Sequence, residues 1–513
     1  MTGGGDLTLG GVGLAATVGL PALGALVLAL FPARLDRAAR VTGTAFAAAT
    51  LVVGALLAVG GSGDWFSYLP SSAGAPGVRP WHDLDLPWVP GLDLRFHLGV
   101  DGVSYPLVVL TALLTLLCCG SLLWRVPAPG RGRTLVALLL VVEVGILGTF
   151  LALDLVLFFL FFEVVLLPMY AVIAVWGDAD RRRAARKFVL YTLFGSVLLL
   201  VGVLTVTTAA GTADLVTLTG GTGLSRGTQL AAFTLLAIAF AVKSPLWPLH
   251  TWLPDAHTQA PTVGSVILAG VLLKMGTYGL IRVAVGVAPE GARWAAPVLG
   301  ILAVAAIVVG SLVCLAQSEL KRLIAYSSVG HLGFVLLGIA TLTATGFQAA
   351  LIGNIAHGVI TGLLFFLVGA IKDRTHTGAL AELGGLREST PRLAGLLGFA
   401  AIASLGLPGL AGFWGEAFAV AAAWQRGGAL WTTLAVLAAL GGALTAAYLL
   451  RLLRRVTHGP AAPAVLALAP NLAGAEVAVW GPLVLLALVI GLAPALVLGV
   501  AEAPVAALLE AIR

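Results

Sequence analysis

The sequence predicts an all-α protein that crosses a membrane many times, and composition is the first sign of this. Of its 513 residues, 59% are hydrophobic and only 10% are charged, whereas charged residues make up about 25% of ordinary soluble domains. The mean hydropathy of the chain is +1.04. We therefore expect most of the chain to lie in lipid rather than in a water-soluble core.

The second sign is the grouping of the apolar residues into fourteen segments. Most of these segments are long enough to cross about 30 Å of hydrocarbon as a helix. No basic region or cleavage site precedes the first one, so we expect a retained helix rather than a signal peptide. The fourteen predicted helices lie near residues 11–31, 41–60, 102–124, 134–152, 155–176, 188–208, 229–247, 262–286, 295–316, 323–342, 348–371, 394–424, 429–450 and 478–500.

The third sign is the position of the basic residues. Most of the 29 lysines and arginines stand in alternate loops, for example in residues 34–40, 181–187 and 451–455. Because such loops are retained in the cytoplasm, we expect both termini to face the opposite side. The net charge of +6 then reflects helix orientation, and we expect no nucleic acid partner.

The most informative stretch is 240–282, in which two lysines stand inside apolar runs. Between Lys243 and Lys274 lies a break that contains His250, Asp255 and His257 together with four prolines. Proline interrupts a helix, and unpaired backbone in a membrane needs protein or a water-filled cavity around it. The pattern predicts two helices joined by a buried polar break, with an ammonium group about halfway along each.

The choice of lysine at these two positions indicates proton handling. Only five of the basic residues are lysines, namely Lys187, Lys243, Lys274, Lys321 and Lys372. A buried lysine can release its proton near neutral pH, whereas an arginine does not. The alternative is that both lysines reach an interface or pair statically with a carboxylate.

Further ionisable residues stand inside other predicted helices. Glu143, Glu163, His331, His357 and Glu416 fall near mid-membrane depth, and together with the two lysines they would form a row in the membrane plane. Buried carboxylates need a counter-charge or a proton, which favours a function for Glu163 and Glu416. A packed, hydrogen-bonded ring is an equally good explanation for each histidine taken alone.

The middle of the chain resembles an internal duplication. Residues 134–286 and 287–455 would each hold five helices, numbers 4–8 and 9–13, and the fourth helix of each block is broken, at 243–245 and at 405–416. An odd number of helices inverts the second block, and broken helices at matching places mark the site of many transporters. Residues 1–133 would form an N-terminal unit of three helices with an outer loop, and residues 456–513 the last helix.

The sequence offers no redox centre. Cys118, Cys119 and Cys314 lack metal-ligand spacing and predict no disulfide framework. Neither a dinucleotide-binding glycine motif nor a phosphate-binding loop is present. We therefore expect no cofactor and no metal in this chain.

Several segments resemble the antiporter-like membrane subunits of respiratory complex I, the proton-translocating NADH-quinone oxidoreductase. They are FHLGVDGVS (96–104), FEVVLLPMYAVIAVWG (162–177), KSPLWPLHTWLPDAHTQAP (243–261), LLKMGTYGLIR (272–282), AYSSVGHLGF (325–334) and GLPGLAGFWGE (406–416). Among these subunits the chain most resembles chain M, because chains L and N usually carry lysine where Glu416 stands. Gln259 departs from the glutamate of many members.

This resemblance implies a role for each residue in proton transfer. Glu163 would pair with Lys243, while Lys274 and the histidines, with His250 and Glu143 as further candidates, would form a hydrophilic axis that ends at Glu416. Partners would be chains L and N, the peripheral redox arm and the lipid bilayer of a bacterial inner membrane. NAD, FMN, iron–sulfur clusters and quinone would be bound by those partner subunits.

Two other interpretations remain open from the sequence. One is a subunit of a multisubunit cation/proton antiporter of the Mrp type, or of a membrane-bound hydrogenase. The other is a structural scaffold whose charged axis only holds helices in register, in which case Lys243 would tolerate arginine.

Overall fold

A computed structural model describes residues 8–59, 80–89, 91, 94–466 and 472–513. Within them, eleven helices are long and apolar enough to cross a membrane. The predicted all-α, multi-pass membrane fold is therefore confirmed at this level, and residue 60 of the predicted segment 41–60 lies outside the described part. The eleven are Leu9–Leu30, Ala33–Leu56, Gly132–Leu151, Leu155–Trp176, Arg181–Ala210, Thr262–Val285, Pro289–Ala316, Leu320–Thr341, Ala344–Thr375, Gly428–Thr457 and Gly474–Leu492.

The described residues of the first part of the chain form twelve α-helices and one hairpin. Their bounds are α1 Leu9–Leu30, α2 Asp36–Leu56, β1 His82–Val89, β2 Leu94–Val100, α3 Tyr105–Ser121, α4 Gly132–Leu151, α5 Leu155–Val164, α6 Leu166–Trp176, α7 Arg181–Ala210, α8 Leu215–Leu218, α9 Arg226–Lys243, α10 Trp252–Gln259, α11 Thr262–Ile267 and α12 Leu273–Gly279. Two π-helical segments, Leu268–Leu272 and Leu280–Val285, precede and follow α12.

Ten further α-helices are formed by residues 289–466 and 472–513. They are α13 Pro289–Ala316, α14 Leu320–Thr341, α15 Ala344–Thr375, α16 Leu386–Ser389, α17 Pro391–Ser404, α18 Ala411–Arg426, α19 Gly428–Thr457, α20 Pro463–Leu466, α21 Gly474–Leu492 and α22 Ala495–Ala511. The centre of the molecule is α15, which packs against α14, α17, α18, α21 and α22. The 262–285 segment, α14 and α15 are almost entirely buried.

Three predicted helices differ from the observed ones at breaks in the backbone. Segment 155–176 is interrupted at Val165, and segment 229–247 ends at Lys243, which is therefore the last residue of α9 rather than its midpoint. Segment 478–500 ends at Leu492 and a separate helix, α22, follows, because Pro494 cannot continue the α21 hydrogen-bond ladder.

The break that the sequence predicts within segment 394–424 is observed, and it separates α17 from α18. Gly406 and Gly409 adopt φ values of +80° and +91° in the connection. This left-handed backbone favours glycine, and Pro408 between them has no N–H for a helix. The LGLPGL sequence (405–410) thus interrupts the helix shortly before Glu416.

The break after α9 is held in place by charged contacts on α10. Asp255 lies 2.7 Å from the Lys187 ammonium at the start of α7 and 3.2 Å from the Arg322 guanidinium at the start of α14. Both helices begin at loops that carry the basic residues. The break therefore bends toward the side on which we expect the cytoplasm.

One element was missed by the sequence analysis, a two-stranded antiparallel hairpin formed by β1 and β2. His97 fixes it by donating to Asp83 of the hairpin at 2.7 Å and to Asp214, just before α8, at 3.0 Å. Burial alone would lower the pKa of His97, but the hydrogen bonds to Asp214 and Asp83 raise this pKa to about 9. The imidazolium thus joins the hairpin to the loop before α8.

The attachment of this hairpin should weaken at alkaline pH. Because the pKa of His97 is raised from 6.5 to about 9 on folding, its stabilising contribution is complete below pH 6.5 and is lost as the pH rises through about 9. Hydrogen bonds to a charged group contribute about 1.5–3 kcal/mol each. We expect hydrogen exchange of residues 94–100, corrected for intrinsic rates, to accelerate over this interval in the wild type and not in His97→Gln. A pH-independent wild-type hairpin would contradict this.

Candidate functional site

Lys274 lies at the centre of the buried polar groups. Its side chain is completely buried in α12. Its ammonium donates to the Ala269 carbonyl and lies 2.6 Å from Nδ1 of His357 on α15. Ala269 belongs to the first π-helical segment, whose wider turn leaves room for this contact, and such turns are frequent at functional sites.

From His357 the polar contacts continue toward Glu416. The rings of His357 and His331 are 5.9 Å apart between centroids. Nδ1 of His331 lies 2.8 Å from Glu416 Oε1, and its Nε2 lies 3.0 Å from the Ser404 hydroxyl. Glu416 and Ser404 therefore hold both ring nitrogens of His331.

A small cavity lies between His357, His331 and Glu416. It has a volume of about 30 Å³ and is lined by His331, His357, Thr361, Ser404 and Glu416, among others. A cavity needs only about 10–15 Å³ of such volume, and a few polar partners, to hold a water molecule. The gap between the two histidine rings can thus be bridged by water.

At the other end of the row, Glu163 and Lys243 lie near each other but do not touch. The half-buried Glu163 carboxylate accepts a hydrogen bond from Ser196. The Lys243 ammonium lies 4.5 Å from the ring centroid of Phe162 and within electrostatic range of Glu163. Among the described residues, no ion pair joins the two groups directly.

Lys243 and Lys274 belong to neighbouring helices that approach closely. A Cβ atom at Gly276 of α12 would lie 2.7 Å from the Ser244 backbone nitrogen and 2.8 Å from the Phe240 carbonyl. Only glycine permits this distance, since real side chains do not approach so near. The glycine two residues after Lys274 thereby brings α12 against the end of α9, where Lys243 is placed.

Two predicted residues stand apart from this row. Glu143 of α4 is completely buried, and neither carboxylate oxygen has a hydrogen-bond partner among the described residues. His250 packs edge-on to Tyr326 with 6.2 Å between ring centroids, near Lys187. The structure thus brings Lys274, His357, His331 and Glu416 into one contact series and leaves Glu143 and His250 outside it.

The sequence analysis did not select Ser196, Ser404 or Asn354. The Thr277 hydroxyl of α12 donates to the side-chain amide oxygen Oδ1 of Asn354 at 3.0 Å, one turn from His357. Ser404 immediately precedes the break at 405–410. Its position beside a broken helix could have identified it from the sequence as a candidate site residue. Serine and asparagine side chains carry no charge, so the sequence did not distinguish these three residues from ordinary packing residues.

Comparison with known proteins identifies the family. Residues 152–442 match the family described as NADH:quinone oxidoreductase/Mrp antiporter, TM. The chain is 43% identical over 425 residues to NADH-quinone oxidoreductase subunit M of Rhodobacter capsulatus, covering 80% of this chain and 81% of that one. The chain belongs to the subunit M family of respiratory complex I. Its function is therefore that of a proton-translocating membrane subunit of NADH-quinone oxidoreductase, as the resemblance implied.

Solved structures agree with this family assignment. A chain of respiratory complex I from Thermus thermophilus with bound NADH matches with a TM-score of 0.81 and 30% identity, over 97% of this chain and 99% of that one. A chain of the Mrp complex from Dietzia sp. DQ12-45-1b also matches with a TM-score of 0.81, but at 23% identity, over 98% of this chain and 99% of that one. The Mrp likeness shows the shared fold alone.

The described part of this complex I subunit was also compared with the ligand sets of metal sites. Among the described residues, no group of three or more His, Cys, Asp or Glu side chains could hold a metal ion. The three cysteines are buried and unpaired. What the buried row offers chemically is a series of groups that can accept and release protons.

We expect Ser404→Ala to slow proton transfer at His331. The substitution leaves Nε2 of His331 without its partner at 3.0 Å, and loss of one hydrogen bond costs about 0.5–1.5 kcal/mol, or about two- to tenfold in rate. NADH-driven proton uptake by membrane vesicles, normalised to assembled complex, measures this. Ser404→Thr keeps the hydroxyl and should pump like the wild type; equal pumping by Ser404→Ala would contradict the role.

Proposed function

We propose that protons cross this subunit along the row Lys243, Lys274, His357, His331 and Glu416, with Glu163 controlling Lys243. The contact series from the Lys274 ammonium to the Glu416 carboxylate carries the proposal, since each step is a direct contact or crosses the small cavity. Each member of the series can both accept and donate a proton, which general acid–base transfer requires.

The Glu163–Lys243 pair would act as the switch. In the present structure Glu163 is held by Ser196, and the Lys243 ammonium lies against the Phe162 ring. When Glu163 approaches, the carboxylate stabilises the ammonium; when it withdraws, the buried ammonium loses that counter-charge and its proton is more readily passed on. Moving one charge across the membrane costs about 2.3 kcal/mol per 100 mV, which a change of a few kcal/mol at this pair can supply.

The topology of the subunit is part of the proposal. Fourteen transmembrane helices would include two inverted five-helix blocks, 134–286 and 287–455, between an N-terminal unit 1–133 and a C-terminal unit 456–513. The interruptions after α9 and between α17 and α18 support this, because they occur at matching places in the two blocks. Both termini would face the periplasm of a bacterial inner membrane.

Redox chemistry would take place in partner subunits. The peripheral arm would bind NAD, FMN and the iron–sulfur clusters, and quinone would be reduced where that arm joins the membrane part. This chain would contact the antiporter-like chains L and N within the membrane. Energy would thus reach Glu163, which is only half-buried in the isolated subunit, from a neighbouring chain.

Lys243→Arg tests the switch directly. Arginine keeps the positive charge beside Phe162 but does not release its proton. We expect the complex to assemble and proton pumping per assembled complex to fall about tenfold or more, whereas Lys187→Arg, at an ion pair on the basic side, should leave pumping unchanged. Proton uptake and quinone reduction by purified complexes measure this. Wild-type pumping by Lys243→Arg would favour the scaffold interpretation.

Variants at Glu416 test the far end of the row. Glu416→Ala and Glu416→Gln remove the titratable group that contacts His331, so we expect both to lower quinone-dependent proton uptake. Glu416→Lys restores a titratable group at that position and should retain more uptake than either. If Glu416→Ala pumps like the wild type, the exit does not pass through this carboxylate.

A further inference from the structure

A buried ion pair lies on the side of the molecule opposite the basic loops, here called the outer side, and the proposed row does not use it. The Arg282 guanidinium contacts the Asp101 carboxylate, and the two side chains are only 7% and 3% exposed. Arg282 stands eight residues after Lys274 in the 262–285 segment, which is about 12 Å farther along a helix. The pair therefore lies between the centre of the row and the outer aqueous phase.

Stability alone is a weak explanation for this pair. Taking two charges out of water costs much of what their attraction returns, so apolar residues of similar volume often stabilise a protein equally well. Ionisable residues inside membrane segments more commonly serve the movement of ions or protons. An arginine, however, does not release its proton, so Arg282 cannot pass protons on as Lys274 can. Its chemistry suits a group that stops proton transfer.

The Asp101 carboxylate is surrounded by N–H donors. Its Oδ1 accepts hydrogen bonds from the backbone N–H groups of Val103, at 2.9 Å, and Ser104, at 3.1 Å, just before α3. Its Oδ2 accepts from Arg282. A protonated carboxyl would turn one of these acceptor oxygens into an O–H group that faces an N–H donor. A proton that arrives at Asp101 would therefore have to displace an existing hydrogen bond.

Tyr278 lies one helical turn from both Lys274 and Arg282, and its hydroxyl is directed away from the row. The hydroxyl donates to the Phe150 carbonyl at 2.9 Å and accepts from Nε of Arg282 at 3.4 Å. The Tyr278 and Phe150 rings meet edge-on with 5.2 Å between centroids. The hydroxyl proton thus points at a backbone carbonyl, which does not pass protons on.

Helix α22 packs over the backbone next to both members of the pair. A Cβ atom at Gly102, the residue after Asp101, would overlap the Val500 carbonyl of α22. Four residues after Arg282, a Cβ atom at Gly286 would lie 3.7 Å from the Leu508 side chain of the same helix. The pair is thereby enclosed by protein on the side that faces the outer phase.

From this arrangement we propose that the Arg282–Asp101 pair, together with Tyr278, is a proton seal that keeps protons of the outer phase from returning through the protein. Pumping builds an electrochemical gradient that drives protons back across the membrane, and the proposed cycle makes Lys274 neutral and able to accept them. A buried arginine that keeps its charge is an effective barrier to protons. This inference rests on the proposed row and topology and adds to them the barrier that preserves the gradient.

The first test replaces the guanidinium with a group that can exchange protons. Arg282→Lys keeps a positive charge beside Asp101, but a buried lysine can release its proton and regain it, so we expect the proton gradient to decay about threefold faster or more. The measurement is the decay of the gradient in liposomes that contain purified complex, after a pulse of NADH has been consumed. If the pair only stabilises the fold, lysine should replace arginine without a leak. Wild-type decay in assembled Arg282→Lys complex would therefore contradict the seal.

The second test separates proton exchange from packing. Arg282→Met leaves Asp101 as a buried carboxylate without a counter-charge, which takes up a proton and can carry it inward, so we expect decay about threefold faster or more. Adding Asp101→Asn to Arg282→Met keeps an oxygen that accepts from the N–H groups before α3 but removes the titratable group. We expect this double variant to hold its gradient like the wild type. Equally fast decay in the single and double variants would overturn the proposal.

Arg226→Lys is the matched control on the same side. Arg226 lies 3.8 Å from Glu290, and its side chain is 76% exposed. Because this ion pair is at the surface and encloses nothing, liposomes with Arg226→Lys complex should hold their gradient like the wild type. A leak as fast as that of Arg282→Lys would contradict a specific role for the buried pair.

The same liposomes separate failure of the seal from failure of the proposed function. If Arg282→Lys and Arg282→Met do not leak while Lys274→Arg lowers the number of protons translocated per NADH, the row stands and the seal is overturned. If Arg282→Met leaks while Lys274→Arg pumps like the wild type, the seal stands and the row is not the path.

Discussion

The rest of the structure depends on the cost of keeping an ammonium group inside a membrane protein. Lys274 is completely buried, and among the described residues it has no carboxylate partner; it is held by a backbone carbonyl and by His357. A charge at mid-membrane costs about 2.5–3.5 kcal/mol on insertion scales. A carbonyl and an imidazole stabilise the charge less than a carboxylate does, so these contacts do not fix Lys274 in its charged form. That environment suits the proton-transfer role proposed for Lys274.

Several local irregularities serve this lysine. The π-helical segments before and after α12 change the helical register around it, and Gly276 lets α12 approach the end of α9. The glycines of the 405–410 connection open the helix that leads to Glu416. Each irregularity weakens a regular helix locally, and π-helical turns and positive φ values are tolerated where surrounding packing determines them. The innermost position of the 262–285 segment, α14 and α15 supplies such packing.

Much of this arrangement could be predicted from the sequence, because ionisable residues are rare in such an apolar chain and their positions are easily recognised. Lys274, His331, His357 and Glu416 stood out for that reason. The proline and the glycines of 405–416 predicted the broken helix. The relation between Glu163 and Lys243 could not be read in the same way. Their separation depends on Ser196 and Phe162, which are common residues in such helices. His257 was visible in the break, but only the structure shows that its ring stacks on Phe365 and that neither ring nitrogen has a hydrogen-bond partner among the described residues.

The central claim is that Lys274 must lose and regain its proton in each cycle, and replacing it with arginine tests that claim most directly. Lys274→Arg keeps a positive charge at the centre of the row and removes the ability to release a proton. The measurement is the number of protons translocated per NADH oxidised by purified complex in liposomes, with Lys187→Arg as the matched control. The account predicts that the ratio falls well below the wild-type value in Lys274→Arg while NADH oxidation by a soluble electron acceptor is unchanged. A wild-type ratio in assembled Lys274→Arg complex would contradict it.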